Sequence, residues 1–220
     1  MEGANSVATP GVKVLAAQYE LDEELPASET TAYRARAARA NYLSADRPDI
    51  QFAAKESCRW MSKPTKVGME GLKRMCRYLN GKPRLVFMYP FQSADRVECY
   101  SDTDWSGCTK TRKSTSGGIL MLGGHVLKTW SSTQPTVSLS SAEAEFYGVV
   151  KASGLALGQQ SILRDLGIEL PVRVWTDSSA AMGICARQGL GKLRHIATHT
   201  LWVQEKVRSR AIELQRCVAR

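Results

Sequence analysis

The chain has 220 residues, 43% of them hydrophobic and 23% charged, with a formal net charge of +9. That apolar content can bury a core and excludes wholesale disorder, and no run of about 18 consecutive apolar residues is present to cross a membrane. Residues 1–11 lack the basic start and apolar run of a secretory signal, so an intracellular location is expected.

Residues 1–28 carry Pro10, Gly11, Pro26 and the acidic Asp22, Glu23 and Glu24, and read as a loose lead-in. The Ala-rich run 30–43 predicts a helix with Tyr33, Ala37 and Ala40 inward and Arg34, Arg36 and Arg39 outward. Pro48 suits the first turn of a second helix running through Trp60. A third is expected from near Pro64, where Met69, Leu72, Met75, Cys76 and Leu79 recur at spacings of three and four, with Gly81 as its stop. Residues 29–93, with thirteen basic and five acidic side chains, form a small helical appendage in this reading.

After Pro83 the pattern turns β-prone, at 84–89, 96–102, 117–123 and 125–131, with Gly123-Gly124 as a hairpin signal. A long helix is expected over 141–166, with Gly154 and Gly158 as break points. A strand at 171–177, helices at 178–188 and 199–209, and a strand at 212–218 complete the chain. Strands followed by strand–helix alternation predict an α/β fold over 94–220, a mixed β-sheet with packed helices. Six dispersed cysteines without a C-x-x-C pair point to reduced thiols rather than a zinc site or a disulfide framework.

Asp102 and Asp177 each end a predicted strand, where ligands gather in open α/β sheets. Glu145 lies in the first turns of the long helix. Three carboxylates converging there would make an oxygen-only site suited to Mg²⁺ or Mn²⁺. Taken singly, each Asp also fits a turn or cap. Ser140-Ser141-Ala142-Glu143 matches a capping box in which Glu143 reaches back to the Ser140 backbone, leaving Glu145 on another face. Asp104, followed by Trp105, Ser106 and Gly107, is expected to lie already in the turn.

YSDTDWSG (100–107), RKSTSGGILMLGG (112–124), QPTVSLSSAEAEFYG (134–148) and VWTDSSAA (174–181) resemble the ribonuclease H domain of copia-type retrotransposon polyproteins. Residues 33–53 and 61–81 are similar to the C-terminal tail of the adjoining reverse transcriptase. The resemblance implies a ribonuclease H-like fold over 94–220, and an Asp-Glu-Asp-Asp set that binds two metal ions and cuts the RNA strand of an RNA–DNA hybrid. Asp102, Glu145 and Asp177 match its first three members. The fourth falls on Ala197 in Arg194-His195-Ile196-Ala197, which has no carboxylate, so an impaired second metal position is expected. His195 and His199 are poor substitutes, because imidazole is a weak ligand for Mg²⁺. The polymerase's Tyr/Phe-x-Asp-Asp pair does not occur, so no polymerase activity is expected. The rest of a reverse transcriptase is the implied protein partner.

Lys110, Arg112 and Lys113 follow the first acidic loop, and Arg187, Lys192 and Arg194 flank the last motif. Both sets are placed to meet phosphates, and both equally fit solvated loops. No phosphate-loop spacing and no G-x-S-x-G elbow is present. Trp105 is the aromatic to watch beside the acidic loop. Two function classes therefore stand open: a metal-dependent hybrid ribonuclease, and a catalytically inactive nucleic-acid-binding remnant of a polyprotein. A decayed fragment without a role is the third.

Overall fold

A computed structural model describes residues 5–12, 14, 16–191 and 193–217. The chain divides into two compact units, Met1–Phe87 with Thr109–Thr111, and Met88–Cys108 with Arg112–Arg220.

The first unit is helical: α1 (Ala16–Glu20), α2 (Ala27–Leu43), a 3-10 turn at Pro48–Ile50, α3 (Gln51–Cys58) and α4 (Lys66–Gly81). Tyr33 and Ala37 of α2 meet Ile50, Ala54, Leu72 and Met75 in its core. The Tyr33 hydroxyl donates to Ser57 O over 2.7 Å, satisfying the polar tip of a buried ring. Thr65 caps α4, its side chain accepting from Gly68 N. Three details differ from expectation. The helix expected from Pro48 through Trp60 is a 3-10 turn followed by α3, which ends at Cys58. Gly81 is the last residue of α4 rather than its stop. The lead-in is also tied down: Val7 and Leu25 pack on the helical core, and Leu25 N donates to Pro64 O over 2.9 Å.

The second unit is the expected α/β structure, a mixed five-stranded sheet with packed helices. Its elements are β1 (Val97–Asp104), β2 (Thr115–Leu122), β3 (His125–Thr133), α5 (Ser141–Asp165), β4 (Val172–Thr176), α6 (Ser179–Ala186), a 3-10 turn at Thr198–Leu201, α7 (Trp202–Arg208) and β5 (Glu213–Arg216). The strand order is β3-β2-β1-β4-β5. β1 to β3 form an antiparallel meander, while β4 runs parallel to β1 and β5 parallel to β4. The two-residue hairpin stands as read, with Gly123 at φ +57, a conformation L side chains rarely adopt. Val97, Cys99, Phe146, Val149, Ala152, Ala156 and Val174 are fully buried in one core beneath α5. The six cysteines are free, and burial pushes the Cys99 and Cys185 thiols up to about 12.

Residues 84–89 form no strand. Pro90 removes a ladder donor. Nearby side chains bond the β2–β3 hairpin instead: Tyr89 Oη donates to Val126 O over 3.0 Å and Gln92 Nε2 to Leu122 O over 2.6 Å. α5 runs unbroken through Gly154 and Gly158. Each glycine costs about 1 kcal/mol of helix propensity, which burial of the α5 core face outweighs. The helix expected at 199–209 opens as a 3-10 turn before α7. Among the described residues, no helix is long and apolar enough to cross a membrane.

Candidate metal centre

Register explains why distant acids meet. β1 and β4 are adjacent and parallel, with Tyr100 opposite Trp175. Asp102 and Asp177 each follow two residues later, so both emerge at the same edge of the sheet. Ser140 caps α5 over that edge, its hydroxyl accepting from Glu143 N at 3.2 Å. Glu145 then lies in the next turn, 8% exposed, while Asp102 and Asp177 are open to solvent. One carboxylate oxygen from each of the three lies within 4.8 Å of the others.

The backbone N–H of Thr103 serves two of them, donating to Asp102 Oδ1 at 2.8 Å and Glu145 Oε1 at 3.1 Å. Oε2 of Glu145 is buried with no hydrogen-bond partner. Burial, reinforced by the charges of Asp102 and Asp177 and opposed by the Thr103 N–H, pushes the Glu145 carboxyl up to about 7. Three hard oxygen donors, one buried and unsatisfied, are the donor set a divalent cation takes. The residues present fit Mg²⁺ or Mn²⁺.

Two neighbouring acids stand apart from the cluster. Asp104 is still in β1, opposite Thr115, so the turn begins later than expected. Its carboxylate folds over Gly107, where a Cβ would lie 1.8 Å from Oδ2. Glu143 is not a reciprocal cap on Ser140 either. Its Oε2 accepts from Leu139 N at 2.9 Å and lies 2.9 Å from His195 Nε2.

No family model matches the chain. It is 32% identical over 190 residues to the retrovirus-related Pol polyprotein from transposon RE1 of Arabidopsis thaliana, covering 85% of this chain and 13% of that protein. The Pol polyprotein from transposon RE2 of the same plant is 32% identical over 214 residues, or 96% of this chain and 15% of the relative. The chain is similar to a segment of these retrovirus-related Pol polyproteins of transposons and spans about a seventh of their length. Among solved structures, LC11-RNase H1, isolated from compost by a metagenomic approach, is similar over 56% of this chain and 84% of its own, at 15% identity and a TM-score of 0.38.

The basic residues singled out by sequence fare differently. The Lys110 ammonium lies 4.7 Å over the Trp60 ring, within the first unit. Arg112 is exposed, on a left-handed backbone at φ +56, and Lys113 is half-buried. Arg187 turns into its own loop, donating to Leu190 O at 2.7 Å. Arg194 is exposed, and Lys192 lies outside the described residues. Ala197 is exposed and starts the 3-10 turn, its carbonyl accepting from Thr200 N and Oγ1 at 2.9 and 2.8 Å. His199 is exposed. Trp105 is 46% exposed, with its indole N–H fixed on Ser138 O at 3.1 Å.

Sequence reasoning missed Thr103, whose contribution is a backbone N–H. It also missed Gln134, a polar residue that reads as a loop amide until its burial is seen.

Proposed function

We propose that this chain is a metal-dependent ribonuclease that hydrolyses the RNA strand of RNA–DNA hybrids. The observation that carries this is the meeting of Asp102, Glu145 and Asp177 within 4.8 Å, with Glu145 Oε2 buried and unpaired. Mg²⁺ or Mn²⁺ held by these carboxylates would supply an activated water and stabilise the leaving 3′ oxygen. Asp102 and Asp177, both exposed, and Glu145, buried, would hold the cation. The Thr103 N–H orients Asp102 and Glu145 together, so neither needs to search for its position. The formal charge of +9 favours a polyanionic substrate. Recognition of the ribose 2′-hydroxyl would select the RNA strand.

The second reading, an inactive nucleic-acid-binding remnant, is favoured by Ala197, which stands where the resembled family carries a carboxylate. A hybrid labelled on each strand separately, incubated with Mg²⁺ or Mn²⁺, tests the two. The ribonuclease reading expects cuts in the RNA strand alone, reduced at least about 100-fold by Asp102→Asn. Binding without cutting by the parent chain in either metal supports the remnant instead.

A further inference from the structure

We infer that Gln134 is a positioning residue for Glu145, holding its carboxylate at the place where a divalent cation is taken up; this rests on the metal reading above. Gln134 ends the β2–β3 hairpin, its N–H donating to Ser114 O at 2.8 Å, and it is 4% exposed. Its carboxamide is used at both ends. Nε2 donates to Ser116 Oγ and to Ala144 O, each at 2.8 Å, while Oε1 accepts from Ser138 Oγ at 3.1 Å. The amide cannot be turned over, because Ala144 O only accepts.

These bonds form a circuit that returns to the metal centre. Ala144 immediately precedes Glu145 in α5. From its carbonyl the path runs through Gln134 to Ser116, and from Ser116 to Thr103 Oγ1 at 3.5 Å. The Thr103 N–H closes the path on Glu145 Oε1. A second constraint works from below: at Gly148, one turn further along α5, a Cβ would lie 2.7 Å from Thr103 Oγ1 and 2.8 Å from Ser101 Oγ. Close approach at Gly148 sets the depth of α5 on β1, and Gln134 sets its first turn against β2. Together they fix how far Glu145 reaches. Groups that orient metal ligands in this way typically change metal affinity or activity by roughly 10–100-fold when lost.

The test compares Mn²⁺ affinity by isothermal titration calorimetry with the thermal stability of the metal-free protein, in the full chain. Gln134→Met keeps the length and removes the hydrogen bonds. It is expected to weaken Mn²⁺ binding at least about tenfold. Ser138→Ala removes a single bond to Oε1 and should weaken binding by a smaller, measurable factor. A Gln134→Met protein that melts earlier but binds Mn²⁺ as the parent does would overturn the proposal. Should Gln134→Met fail to fold, parental affinity in Ser138→Ala overturns it equally. Failure of the metal reading looks different, since the parent chain itself then takes up no Mn²⁺.

Discussion

His195 Nε2 lies 2.9 Å from Oε2 of Glu143, tying the loop ahead of the 3-10 turn to the first turn of α5. The Glu143 side chain is 2% exposed and that of His195 43%, so the carboxylate depends on this contact more than the imidazole does. His195→Ala leaves Glu143 with the Leu139 N–H alone. The expected cost is about 1 kcal/mol, the lower range for a hydrogen bond to a charged group because His195 is half in water. Urea unfolding of the two proteins measures it.

The raised Glu145 carboxyl sets a pH dependence. Its pKa is about 7 in the folded, metal-free protein against an ordinary 4.5, so the folded state holds the proton more tightly. Stability of the metal-free protein therefore falls as pH rises from about 4.5 to about 7 and levels above that. Metal uptake displaces the proton, so cation affinity rises over the same interval. Thermal melts in chelator across this range, compared with Glu145→Gln, should show the slope in the parent and its loss in the variant.

Gly148→Ala drives a methyl group into the Ser101 and Thr103 hydroxyls, both in β1. Strand and helix are each fixed by the core, so little relaxation is available. A loss of about 1–3 kcal/mol is expected, with weaker Mn²⁺ binding because α5 must lift. Gly154→Ala, where a Cβ meets no heavy atom within 4 Å, is the control and should gain slightly in stability.

In the helical unit, Arg47 clasps Asp49 through Nε at 3.0 Å and Nη2 at 2.8 Å, and Tyr78 Oη donates to the same carboxylate at 2.8 Å. The Arg47 hydrogen bonds hold the Asp49 carboxyl below its usual 3.8. This stabilisation is complete above that value and fades as acid drops pH through the lowered one. Asp49→Ala leaves Arg47, its side chain 8% exposed, without its carboxylate. A cost of about 2–3 kcal/mol is expected, discounted for the partial exposure of Asp49. Denaturant unfolding checks it.

Local chemistry carried much of this into the sequence. Tyr33, Ala37 and Ala40 are buried at helical spacing, Gly123-Gly124 makes the hairpin, and Ser140 caps α5. Asp177 was legible because it stands just past the end of β4, whereas Asp102, expected to end its strand, lies within β1, which runs on to Asp104. Tertiary facts were hidden. The apolar run 84–89 has strand propensity but pairs with neither edge strand, β3 nor β5, and Pro90 follows it directly. Gly154 and Gly158 look like breaks only until the core over α5 is counted. The capping-box pattern anticipated Glu143 N on Ser140 but not His195, which arrives from 52 residues away. Gln134 offers no periodicity, because its role consists of three side-chain contacts, to β2, to α5 and to the loop between β3 and α5.

Diffraction at the manganese edge from crystals grown with Mn²⁺ tests the central claim most directly. An anomalous peak coordinated by oxygens of Asp102, Glu145 and Asp177, absent from Asp102→Asn crystals, is the predicted result. Crystals of the parent chain with full-strength manganese elsewhere and none between these three carboxylates would contradict it.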